Sequence, residues 1–223
     1  MDFSGAYAVI EAAKQDQSLC VLSDQERESS LDQILSNWDG TTPVWVFGYG
    51  SLVWNPQLEF DAKRCCIVHG YHRSLCLWSK VWRGTPARPG LVLALDRGGS
   101  CQGVAYRIPA AKVLPELKTL WRRELVTGAY TPRWLNGRGC GPCSAHGHER
   151  ITAVGFVIKR GDPGYAGELD ASHLMEILRT ARGVNGSSAD YLRSTVRALE
   201  EHGIADRHLA ALLQKLERSE AAG

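Results

Sequence analysis

The chain has 223 residues, 44% hydrophobic and 22% charged, with a formal net charge of +2. Twenty-six Lys and Arg against 24 Asp and Glu leave no polybasic footprint, so nucleic acid is not an expected partner. No apolar run approaches a bilayer crossing and no basic-then-apolar signal opens the chain, which leaves a soluble globular protein and excludes membrane, collagen-like and disordered classes.

Residues 1–42 read as a helical N-terminal extension. Ser23-Asp24 is placed to cap a helix whose Leu31, Ile34, Leu35 and Trp38 recur at helical spacing, and Asp39-Gly40-Thr41-Thr42-Pro43 stops it. Residues 43–223 read as one domain. Val44-Trp45-Val46-Phe47 is a buried strand that ends in Gly48-Tyr49-Gly50-Ser51-Leu52. Strands are expected at Cys65–Val68, Tyr71–Trp78, Leu91–Leu95, Gly103–Ile108 and Ile151–Ile158. Helices are expected at Ala110–Val126, Ala171–Ala181, Ala189–His202 and Ala205–Ser219. Strands that rarely alternate with helices predict an α+β domain on an antiparallel or barrel-like sheet.

Seven cysteines (Cys20, Cys65, Cys66, Cys76, Cys101, Cys140 and Cys143) are an odd and scattered set. Without an export signal they read as reduced thiols in the cytoplasm, and Cys76 and Cys101 as small core hydrophobes.

Three constellations bear on chemistry. The Gly48–Val53 turn has glycines on both sides of Tyr49. Glycine accepts positive φ and lets backbone N–H groups approach a ligand, although a hairpin turn without a ligand fits the pattern equally well. It lacks the third glycine and the Gly-Lys-Ser/Thr of phosphate loops. Glu124 lies seven residues after Leu117, four after Leu120 and three after Trp121, on the core-facing stripe of its helix, while Arg122 and Arg123 project elsewhere. A carboxylate facing apolar surface is expected to have a raised pKa, suited to general acid–base work. On spacing alone, a helix-end glutamate that reaches solvent or pairs with an arginine is the commoner case. Cys140-Gly141-Pro142-Cys143, with His146 and His148, matches a redox or zinc pattern, but no helical stripe follows, so adventitious loop thiols are expected. His69 and His72, at odd spacing in a strand, fall on opposite faces. Ser51 follows Gly50 without recognisable His and Asp partners.

Together the motifs resemble the ChaC family of glutathione-specific γ-glutamylcyclotransferases. The likeness rests on Pro43–Pro56, Gly70-Tyr71-His72-Arg73, Gly84-Thr85, Pro89-Gly90 and Gly103–Arg107. It continues through Trp121-Arg122-Arg123-Glu124, Thr127–Tyr130, Asn185 and Tyr191-Leu192. Leu91 departs from it, standing where many members carry a basic residue, and Cys140–His148 resembles an insertion. The resemblance implies a small γ-glutamylcyclotransferase-like mixed β-barrel surrounded by helices. It implies intramolecular aminolysis of glutathione to 5-oxoproline and cysteinylglycine, with no cofactor or metal. Glu124 matches the family's catalytic glutamate. The substrate-binding turn would be Gly48, Tyr49, Gly50, Ser51, Leu52 and Val53, with Tyr191 as a secondary contact. Other γ-glutamyl peptides or amines, a non-catalytic γ-glutamyl-binding module, and a thiol oxidoreductase using Cys140 and Cys143 are the competing readings. Oligomeric state is left open.

Overall fold

A computed structural model describes residues 20–140 and 149–221. Ser23 caps helix α1 (Asp24–Leu35) through a capping box with Glu26. The helix ends before Trp38, contrary to the spacing. The Trp38 indole instead donates to the Thr42 carbonyl at 2.8 Å across a turn held by Asp39 Oδ1.

The β-branched and aromatic run forms strand β1 (Val44–Gly48), followed by a single helical turn, α2 (Ser51–Trp54). The expected strands on either side of Gly70 are one strand, β2 (Ala62–Ser79), and those on either side of Gly98-Gly99 are one strand, β3 (Gly90–Ile108). What looked like chain breaks are irregularities inside a long hairpin. A bulge falls between His69 and Tyr71, and Gly70 takes φ +84°, where a side chain would be strained. The bulge interrupts the alternation on which separation of the histidines rested; His69 is exposed and His72 Nδ1 meets the Gly98 carbonyl at 3.1 Å.

Helix α3 (Val113–Glu124) starts later than expected, after a 3₁₀ turn at Ala110–Lys112, and stops earlier. Strand β4 (Tyr130–Gly139) was not expected at all. It pairs with β5 (Arg150–Ile158) along nearly its whole length but with β2 only over Gly137–Gly139, so Pro132 sits where no second strand asks for its missing N–H. Beyond the sheet come α4 (Ala171–Thr180), the short strands β6 (Arg182–Gly183) and β7 (Gly186–Ser187), α5 (Ser188–Glu201) and α6 (Arg207–Ala221).

Among the described residues, strands β1 to β5 close into a barrel in the order β1-β3-β2-β4-β5, with β1 and β5 joined in parallel at Trp45–Ala153 and Val46–Val154. The barrel interior draws on all of these strands: Phe47, Val68, Leu95, Leu135 and Ala153 belong to one buried cluster. Outside it, Val46 and Phe156 pack under α3, with Leu31 of α1 in the same cluster. On another face, Leu93, Val104 and Tyr106 pack under α4, α5 and α6. Helix α2 lies between the two outer clusters, with Leu52 in the first and Val53 in the second.

Cys76 and Cys101 are buried, as expected of small core hydrophobes. Burial pushes the Cys76 thiol up to about 12 and the Cys101 thiol up to about 11, which keeps both protonated and unreactive. Cys143, His146 and His148 lie outside the described residues. Among the described residues no helix is long and apolar enough to cross a membrane.

Candidate active site

Where β1 leaves the barrel and turns into α2, the structure holds a cavity of about 160 Å³. Its wall is assembled from distant segments: Tyr49–Leu52 from the turn, Glu124 from the end of α3, Tyr130 from β4, Tyr191 from α5, and Lys80 and Arg83 from the β2–β3 connection. Of the turn residues, Tyr49, Gly50, Ser51 and Leu52 reach the cavity. Gly48 and Val53 stand behind it. The Val53 N–H bonds the Gly50 carbonyl at 2.9 Å, and its carbonyl accepts from Tyr106 Oη at 3.2 Å.

The glycines serve space, not positive φ. Neither Gly48 nor Gly50 lies in the left-handed region. A Cβ on Gly50 would stand 2.7 Å from Tyr191 Oη, and one on Gly48 would stand 3.1 Å from Leu52 Cβ. The turn therefore leaves no room for a Cβ at Gly50 and little at Gly48.

Glu124 closes α3 one turn beyond the fully buried Leu120 and Trp121, and its side chain is 15% exposed. Burial lifts its carboxyl above the usual carboxylate range, while the Arg123 guanidinium pulls it back. The two side chains pair at 3.1 Å, Arg123 Nε to Glu124 Oε1. This corrects the expectation that Arg123 projects elsewhere. Its long side chain folds back at the helix end, donating to the Asn55 carbonyl at 2.6 Å and to Ser51 Oγ at 3.2 Å. One arginine thus ties the carboxylate to the turn. Arg122 is exposed, as spacing predicted.

Three tyrosines share the cavity wall with the carboxylate. Tyr49 Oη donates to the Phe156 carbonyl at 2.8 Å, Tyr130 Oη donates to the Leu93 carbonyl at 3.2 Å, and Tyr191 Oη accepts from the Leu93 N–H at 3.2 Å. Burial, reinforced by the Glu124 charge, pushes Tyr49 and Tyr130 well above the usual phenol range; burial takes Tyr191 to about 12. All three remain neutral near pH 7. Arg83, only 7% exposed, lies with its guanidinium 5.5 Å from the Tyr191 ring centroid and bonds the Asn185 carbonyl. Burial lowers its pKa, with Tyr191 and Asp190 holding it up.

Sequence reasoning singled out the turn, Glu124 and Tyr191, and the structure brings them together around one cavity. It missed Tyr130, Arg83 and the pairing of Arg123. Each lay inside a segment of the resemblance or beside one, but none has a spacing signal of its own. Leu91, the departure from the family pattern, is fully buried and does not line the cavity; its N–H is held by Ser188 Oγ at 3.1 Å.

A closed mixed barrel wrapped by helices is the γ-glutamyl cyclotransferase fold. The crystal structure of a glutathione-specific γ-glutamyl cyclotransferase from yeast shares it with a TM-score of 0.72, over 80% of this chain and 97% of that one, at 21% identity. The family follows from sequence: residues 44–219 match the family described as ChaC-like protein, and the chain belongs to it. Among its relatives, the glutathione-specific γ-glutamylcyclotransferase of Escherichia coli K12 is 36% identical over 88% of this chain and 82% of its own length. The human glutathione-specific γ-glutamylcyclotransferase 1 is 32% identical over 76% of this chain and 77% of its own.

Proposed function

We propose that this protein cleaves glutathione by intramolecular aminolysis, releasing 5-oxoproline and cysteinylglycine, with Glu124 as proton carrier. The observation that carries the reading is a buried carboxylate with an elevated pKa on the wall of a cavity that also presents Lys80, Arg83 and Arg123. A wall with more cationic than anionic side chains suits a substrate bearing two carboxylates and one ammonium.

The γ-glutamyl α-amine attacks its own side-chain carbonyl carbon. The new C–N bond closes a five-membered ring, and the old amide C–N bond breaks to free the cysteine amine. Nucleophile and electrophile share one molecule, so holding them in a near-attack conformer supplies about 7–11 kcal/mol of the barrier. Two tasks remain for the chain. Glu124 takes the ammonium proton and later returns one to the leaving amine. A carboxylate raised toward neutrality serves both directions better than an ordinary one. The second task is the tetrahedral oxyanion. Tyr191 is neutral, lines the cavity and accepts from Leu93, so its own proton is the one that would be donated to the oxyanion. The turn grips the γ-glutamyl group through backbone N–H groups of Gly50–Leu52.

Purified protein incubated with glutathione is expected to form 5-oxoproline and cysteinylglycine in equal amounts; their absence refutes the reading. Glu124→Gln keeps shape and hydrogen-bonding reach but cannot accept the proton, so kcat should fall by about 10²-fold or more while glutathione still binds. Near wild-type turnover in that variant would place the base elsewhere.

A further inference from the structure

The Gly70–Arg73 segment of β2 contributes nothing to the cavity wall, yet it ends in a charged side chain packed against the back of the turn. After the bulge at Gly70 the register sets Arg73 opposite Leu95, and the guanidinium reaches both the turn after β1 and the start of α6. The side chain is 4% exposed. There it has three fixed partners on three segments. Nε donates to the Tyr49 carbonyl, Nη2 to the Gln102 carbonyl, and Nη1 to Asp206 Oδ2. Asp206 is itself held, because its Oδ1 accepts from the Leu209 N–H at 3.0 Å and caps α6. A planar guanidinium fits this fork, whereas an ammonium cannot reach three acceptors in one plane.

The Tyr49 carbonyl and the Gly50 N–H belong to one planar trans peptide and point in opposite directions. We propose that Arg73 is a positioning residue for the substrate-binding turn: by holding the Tyr49 carbonyl on the side away from the cavity it aims the Gly50 N–H into the cavity, and Asp206 fixes the guanidinium in turn. The assignment rests on the cyclotransferase reading above. It gives the Gly70–Arg73 motif a task that the cavity wall alone does not explain, and it couples the turn to the last helix of the chain.

Wild type, Arg73→Lys and Asp206→Asn are compared for 5-oxoproline formation from glutathione over a range of pH, alongside thermal melting. In Arg73→Lys the turn loses its alignment while Glu124 and Arg123 are untouched. KM should therefore rise about tenfold or more, kcat should stay within about threefold, and the acid limb of the pH profile should not move. A KM within about twofold of wild type in a cooperatively melting protein overturns the proposal, since a purely structural arginine lowers the folded fraction and not the affinity. If Arg73→Lys does not melt cooperatively, Asp206→Asn decides, because asparagine preserves the α6 cap. There a rise in KM of about threefold supports the assignment and an unchanged KM overturns it. Wild type that forms no 5-oxoproline removes the cyclotransferase reading and the Arg73 assignment with it.

Discussion

Glu124 is pulled in opposite directions by burial, which favours its neutral form, and by Arg123, which favours the charged one. The acid limb of kcat/KM should report that balance. Arg123→Gln removes the opposing charge, so the Glu124 pKa rises further and the limb moves to higher pH, measurable as a pH–rate profile on glutathione. A limb that stays put or moves to lower pH rules out Arg123 as the tuning group. The same balance sets a stability effect. Because the folded-state pKa lies above the unfolded value of 4.5, the folded protein binds more protons between those two values. Glu124 therefore destabilises the fold increasingly as pH rises through that window. Glu124→Gln should raise the thermal midpoint more at pH 7.5 than at pH 4. At this scale Glu124 was legible, since the distances to Leu117, Leu120 and Trp121 turn directly into a face of the helix. Arg123 was not. Spacing fixes where Cα–Cβ points, and a long side chain at a helix terminus can reverse that direction over its last bonds.

The turn and α2 form the element on which the cavity depends, and their requirement is room. In Gly50→Ala the new methyl stands 2.7 Å from Tyr191 Oη, a clash that forces a buried tyrosine or the turn itself to move, while Leu93 Cβ at 3.5 Å is an ordinary contact. Overpacking of this kind costs about 1–3 kcal/mol. Tyr191→Phe clears the colliding atom, so the double variant should be less destabilised than the sum of the singles, read from denaturant midpoints. Strict additivity would mean that the methyl is accommodated elsewhere. The glycines were visible in the sequence, but the reason for them was not, because Tyr191 comes from a helix far along the chain. Strand β4 illustrates the opposite difficulty. Pro132 and Asn136-Gly137 are local signals for a loop, and they are overridden because β5 supplies a full antiparallel partner while the second edge stays open at the proline. Long strands β2 and β3 were legible only in halves, since Gly70 and Gly98-Gly99 look like ends and act as bends.

At the scale of the whole molecule, one backbone position ties the fold to the cavity. The Leu93 N–H donates to Tyr191 and its carbonyl accepts from Tyr130, while its side chain packs under the C-terminal helices. Periodicity could place each of those elements but not their convergence, which depends on pairings between segments that local pattern does not encode. Closure of the barrel is one such case: the Tyr49–Phe156 bond, beside the β1–β5 seam, joins residues 107 apart. Contacts of such separation form late, because the loop entropy must be met before the contact stabilises anything. Pulsed hydrogen exchange during refolding should therefore find β2–β3 amides protected before those of the β1–β5 seam; simultaneous protection would contradict this order. The same geometry governs synthesis. A nascent chain can pair β1 with β3 once Ile108 has emerged, but the other edge of β1 stays bare until β5 follows. At about 5–20 residues per second that interval lasts on the order of seconds. During it an open strand edge is available to any neighbouring chain, so the step that completes the catalytic fold is also the one at which this protein is most exposed to wrong partners.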